Sequence, residues 1–182
     1  GLGETRHISR VLVSKLDPDT VFVGALGNIY APSEERGVFR STDGGTNWEK
    51  TLYIDEYHGV SDMDIAPDNP NILFAAMWRF ERKPWTHRTG SEEGGIFKST
   101  DGGKSWRKIE AGLPKLVGRI GVKIAPSNPD VVYVITESDE GTLFRSNDKG
   151  ETFTKVTDEV GIVSRGLYSV SYTHLTLPTM DA

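Results

Sequence analysis

At 182 residues the chain is long enough for one domain with a substantial core, and 36 % apolar against 26 % charged residues is a folded composition, which argues against disorder. Twenty-one basic against 26 acidic residues leave a formal charge of -5 without a basic run, so nucleic acid is not an expected partner. The absence of cysteine excludes disulfides, thiolate zinc sites and cysteine nucleophiles. No signal-peptide pattern precedes the first strand pattern and no membrane segment is expected.

In chain order, an alternating run SRVLVSK (Ser9–Lys15) leads into DPDTVFVGA (Asp17–Ala25), and GVFR (Gly37–Arg40) leads into STDGGTNW (Ser41–Trp48). The succession returns as SDMDIAP (Ser61–Pro67), NPNILFAAM (Asn69–Met77), GIFK (Gly95–Lys98) and STDGGKSW (Ser99–Trp106). It returns again as IGVKIAP (Ile120–Pro126), NPDVVYVIT (Asn128–Thr136), TLFR (Thr142–Arg145) and SNDKGETF (Ser146–Phe153). Pro18, Pro70 and Pro129 mark equivalent points, 52 and 59 residues apart, so the connecting loops vary around a fixed frame.

Each unit reads as four short strands. In the second these span roughly 59–66, 71–77, 95–99 and 106–110, with β-branched and aromatic residues in the strands and Asn, Asp, Pro or Gly in the turns. A period near 50 with four strands per unit predicts an all-β fold, a partial β-propeller of about three four-stranded antiparallel blades. A hairpin-rich sandwich is the alternative, but it does not require near-identical phrases at equivalent turns. The expected divisions are 1–58 for the first blade and its crossing, 59–117 for the second, 118–160 for the third, and 161–182 for an incomplete fourth start. Three blades do not close a ring, since propellers take four to eight. Missing blades of a parent propeller, or self-association, are therefore expected to cover the open sheet faces.

In each repeated turn the aspartate (Asp43, Asp101, Asp148) can accept hydrogen bonds from amides that a tight loop leaves unpaired. Gly45, Gly103 and Gly150 are shared by all copies and are expected at positive φ. The preceding glycine becomes Lys149 in the third copy, so that position is expected to demand less. Ser41, Ser99 and Ser146 can close the turn through their hydroxyls, and Trp48, Trp106 and Phe153 can pack rings inward or against the next blade. A calcium loop needs 6 to 8 oxygen ligands, and a phosphate loop needs GxxxxGK[ST] leading into a helix; neither pattern is present. The turn therefore reads as structural, with no metal and no cofactor expected.

The pattern SxDxGxxW/F resembles the Asp-box, or BNR repeat, of sialidases, sortilin-type receptor domains and related propellers. Residues 3–160 as a whole resemble bacterial BNR-repeat or sortilin N-terminal-like proteins, often loosely called glycosyl hydrolases. The resemblance implies a structural role for the Asp-box, remote from the active face, and a secreted or periplasmic location.

Strand alternation puts the Asp-boxes and the DPDT-type turns on one face. The longer segments GNIYAPSEER (Gly27–Arg36) and WRFERKPWTHRTGSEE (Trp78–Glu93), and the blade crossings, fall on the other. Trp78, Arg79, Arg82, Trp85, His87 and Arg88, with Tyr57, His58 and Arg119 from the crossings, suit stacking on sugar rings or holding a carboxylate or peptide. The bland alternative has the tryptophans pinning a long loop while the arginines are solvated. His7, His58 and His87 are too scattered to read as zinc ligands. Glycoside hydrolysis needs two carboxylates about 5 to 9.5 Å apart. Glu34, Glu35, Asp55, Glu56, Asp62, Glu92 and Glu93 are available, but none stands out. A sialidase-like site built on Arg10, Arg79, Arg119 and Tyr57 lacks its local motif. Two readings follow: a module that binds protein or glycan, or a fragment of a secreted glycoside hydrolase. Near the carboxyl end, VSYTHLTLPT (Val170–Thr179) resembles translated sequencing-adaptor DNA, so a non-native tail is expected there.

Overall fold

The computed structural model describes residues 2–163; the expected tail and most of the fourth-blade start lie outside them. Strands β1 (His7–Val13), β2 (Val21–Gly27), β3 (Gly37–Ser41) and β4 (Glu49–Leu52) form one antiparallel sheet in chain order. The second sheet orders β5 (His58–Ile65), β6 (Leu73–Lys83), β8 (Gly95–Ser99) and β9 (Arg107–Ile109), with β7 (Thr86–Thr89) paired to the far end of β6. The third runs β10 (Ile120–Ile124), β11 (Val132–Thr136), β12 (Leu143–Ser146) and β13 (Thr154–Thr157), followed by a single 3-10 turn at Val160–Ile162. The architecture is all-β, in three meandering blades.

One departure from the expected strands lies in the second blade. Residues 78–93, read as a loop, instead continue β6 to Lys83 and return as β7, with Phe80 opposite Thr89 and Lys83 opposite Thr86. Trp78 and Phe80 fall on one side of the extended strand, their centroids 4.4 Å apart, and His87 from β7 meets Phe80 edge-on at 5.0 Å. This aromatic packing favours a hairpin over a free loop.

The register is the same in all three blades. The serine of each box pairs with the first residue of the second strand: Ser41 with Val21, Ser99 with Leu73, Ser146 with Val132. Phe22, Phe74 and Tyr133 are therefore equivalent, as are Ala25, Met77 and Thr136. One cluster between the first two blades contains Phe22, Val38, Val60, Met63, Leu73 and Met77; another, between the second and third, includes Phe74, Ala76, Ile96, Ile120, Val122 and Val134. Residues 73–78 are buried on both faces because β6 is flanked on each side, whereas β11 alternates between buried and exposed positions. Side chains also stitch the inner strands. Ser61 Oγ donates to the Ile120 carbonyl at 2.5 Å, and Asp64 accepts from the Ile124 amide at 2.8 Å.

Candidate functional site

On one face the three boxes repeat a single hydrogen-bond pattern. Each serine hydroxyl donates to Oδ1 of its aspartate, at 2.7, 2.8 and 2.6 Å, and accepts the amide of Gly45, Gly103 or Gly150 at 2.9, 2.9 and 2.8 Å. Oδ1 also accepts the amides of Asn47, Ser105 and Thr152, while Oδ2 accepts the side chains of those residues. Hydrogen bonds chiefly from the Asn47 amide hold the Asp43 carboxyl at about 2; those from Ser105 and from Ser146 hold Asp101 and Asp148 well below the carboxylate range. Both oxygens of every aspartate are occupied by donors of its own turn.

The box also reaches the neighbouring strands and blades. Gly44, Gly102 and Lys149 donate their amides to the carbonyls of Asp19, Asn71 and Asp130 in the first hairpin turn of the same blade. This geometry corrects the expectation for the third copy: Lys149 has a φ of 60°, close to 69° and 74° at the two glycines. The conformation is required in every blade, and the lysine accepts it to make the bond. A Cβ added at Gly103 would lie 2.5 Å from the Phe22 ring, and one at Gly150 would lie 2.6 Å from Phe74, so each of these boxes sits on an aromatic of the preceding blade. Trp106 Nε1 donates to Thr51 Oγ1 of the first blade at 3.2 Å, and Lys98 Nζ donates to the Lys149 carbonyl and to Glu151. Phe153 is buried between the second and third blades, whereas Trp48 donates to its own Gly45 carbonyl at 2.9 Å.

The opposite face carries no repeat. His58 is 1 % exposed and Trp78 6 %, so these two are interior and position the surface without lining it. Trp78 Nε1 donates to Thr89 Oγ1 at 2.7 Å and ties the hairpin to its root. Arg79 lies over the Tyr57 ring at 5.3 Å and Arg119 over Trp78 at 5.8 Å, while Arg10 donates to Asp62 at 2.5 Å. Each arginine of the sialidase-like set is thus committed to a different neighbour. A hydrogen bond to Glu56 raises the Tyr57 phenol, which opposes the phenolate that a tyrosine nucleophile needs. The exposed group is Arg82, Arg88 and, at the tip, Trp85 at 80 %; His87 stays half-buried against Phe80.

Two features of this face had no sequence signal of their own. Asp55 Oδ1 accepts His58 Nδ1–H at 2.7 Å, and His58 Nε2 lies 2.6 Å from Ser91 Oγ, the atom order of a catalytic triad. Ser91 is only 6 % exposed, its Oγ accepts the Gly94 amide, and its backbone bridges Val117, so the relay pins the loop to both crossings. Burial alone would raise the Asp55 carboxyl, but the His58 ring and the Tyr57 and His58 amides bring it below its ordinary value. Arg36, fully buried, donates to the carbonyls of Tyr57, Asn28 and Ala31 and so holds the 27–36 segment folded. Its burial lowers the guanidinium pKa.

With this geometry in place, known proteins resemble the chain as follows. The BNR/Asp-box repeat family matches residues 39–50 and 97–108. Vacuolar protein sorting/targeting protein 10 of Colletotrichum graminicola is 31 % identical over 86 residues, 47 % of this chain and 5 % of that protein. The fold is similar to the GH74 xyloglucanase of Xanthomonas campestris, at a TM-score of 0.58 and 20 % identity, covering 84 % of this chain and 24 % of that one. It is also similar to YCF48 bound to D1 peptide, at a TM-score of 0.50 and 17 % identity over 84 % of this chain and 41 % of that one. The chain therefore spans less than half the length of each of these proteins. Among the described residues no helix is long and apolar enough to cross a membrane. Repeat, register and fold agree: over the described residues, the chain folds as three β-propeller blades, the first two of which carry matches to the BNR/Asp-box repeat.

Proposed function

We propose that the three blades act as an interaction module whose contact surface is the β6–β7 hairpin. The observation that carries this reading is Trp85, 80 % exposed at the tip of a hairpin and flanked in sequence by Arg82, Lys83 and Arg88. An exposed indole among cations suits a glycan ring or an acidic peptide, because ring stacking supplies contact area and guanidinium groups bind carboxylates in a bidentate fork. The Trp78, Phe80 and His87 packing supports it by fixing the hairpin in advance, which lowers the ordering cost of binding. Of the structural neighbours, one is a xyloglucanase and another is bound to a peptide, which supports testing a glycan and a peptide as ligands.

The hydrolase alternative finds no general acid in Asp55. A general acid needs a raised pKa. The His58 relay instead holds the carboxyl of Asp55, one of the candidate carboxylates, below its ordinary value. The proposed location is extracytoplasmic. The second partner we propose is a further Asp-box blade, from a parent propeller or a second copy. Tyr133 and Ile135, 37 % and 38 % exposed, stand where Phe74 and Ala76 meet the third blade.

The test is to probe the full chain, Trp85→Ala and Arg82→Ala/Arg88→Ala against a glycan array and an acidic-peptide library. Ligands lost with these substitutions support the proposal. Ligands retained by both variants contradict it, as does glycoside turnover abolished by a single loop carboxylate substitution.

A further inference from the structure

Both gaps between blades are built from the same four positions. Pairing places Val38 opposite Leu52 and Val60 opposite Met77 around the first gap; Ile96 opposite Ile109 and Ile120 opposite Thr136 surround the second. Met77 is fully buried and packs in the first cluster with Val38, Leu52 and Val60. Its counterpart Thr136 is just as buried, but it is shorter and carries a hydroxyl that has no hydrogen-bond partner among the described residues. Thr136 lines a cavity of about 370 Å³. Its apolar walls are Ile96, Ile109, Leu113, Val117 and Ile120, and its polar border is Lys108 and Lys115 with Glu92 and Glu110.

The volume falls within the range of small-molecule sites, and apolar inner walls with a few polar groups that fix orientation are their usual composition. A buried hydroxyl without a partner is costly in any fold, and a ligand that supplies the missing bond recovers that cost. The charges at the border are two of each sign, so they select no ionic ligand. Lys108 is engaged besides, donating to the Glu92 carbonyl. We propose that the gap between the second and third blades is a binding site for a neutral, largely apolar small molecule carrying one hydroxyl. Its apolar body lies against the isoleucines, and its hydroxyl bonds to Thr136 Oγ1.

The site is separate from the β6–β7 hairpin, so it stands or falls apart from the proposed recognition surface. The probes are 4-ethylphenol and ethylbenzene, titrated into the full chain while amide and methyl NMR signals are followed. The phenol is expected to give saturable shifts at Thr136, Ile96 and Ile120 and to bind about 2- to 10-fold more tightly than the hydrocarbon, the range of one hydrogen bond. Thr136→Met, the residue of the equivalent position, should fill the gap, keep or raise the unfolding temperature, and remove binding of both probes. Thr136→Val keeps the shape without the hydroxyl and should bind the two probes equally. Absence of saturable shifts in the native chain would overturn the assignment. So would a Thr136→Val variant that still prefers the phenol, or a folded Thr136→Met variant that binds as before.

Discussion

The two faces of this propeller stretch use their polar groups differently. On the Asp-box face, three turns make the same serine–aspartate–glycine bonds, and both oxygens of each box aspartate are occupied within its own turn. On the opposite face no two blades are alike: a hairpin extends the second, Arg36 organises a loop in the first, and a His58 relay pins the crossings. Repetition marks what the frame needs in every blade, and variation marks where a surface is free to meet something else.

Substitutions should separate the faces, and the largest loss is expected at the blade junction. Gly103→Ala forces a side chain into left-handed backbone and against the Phe22 ring, and should cost about 3 kcal/mol or more in chemical denaturation. Gly45→Ala meets only the edge of Trp48 at 3.3 Å, so about 1–2 kcal/mol is expected from backbone strain. Equal losses at the two sites would remove the junction from the account. Asp101→Ala leaves turn amides to find water and should cost about 1–2 kcal/mol, measured the same way.

The pH dependence has a defined sign. The box aspartates have depressed pKa values in the folded chain, so their contribution is fully present above the unfolded value near 4 and is lost as pH falls through the folded values, Asp43 at about 2 and the other two lower. Unfolding midpoints should therefore drop as pH falls below about 4, and Asp101→Asn should flatten that slope. The smallest effect on stability is expected from Trp85→Ala, within about 0.5 kcal/mol of the native chain, because the ring is exposed.

Much of the frame could be read from the residues alone. The serine, aspartate and glycine spacing marks each third-to-fourth turn, and NP or DP marks each first-to-second turn. Together these imply the register later found for Ser41, Ser99 and Ser146. What stayed hidden depends on contacts between distant positions. The seating of Gly103 on Phe22 joins residues 81 apart in sequence, and Ser91 meets His58 across 33. The left-handed Lys149 was misread because substitution at a glycine position looks like relaxed geometry, whereas the bond to the Asp130 carbonyl still requires it. Segment 78–89 alternates as a strand should, Trp78 and Phe80 against Arg79 and Glu81. Its wealth of charge and aromatics resembles a recognition loop, and only the pairing with β7 reveals the hairpin.

The division of labour between the faces is tested most directly by taking Asp101→Ala and Trp85→Ala through urea unfolding and the same glycan and peptide binding screen. The account predicts a lowered midpoint with binding per folded molecule unchanged for Asp101→Ala, and an unchanged midpoint with binding lost for Trp85→Ala. Binding lost at unchanged stability in Asp101→Ala would contradict it.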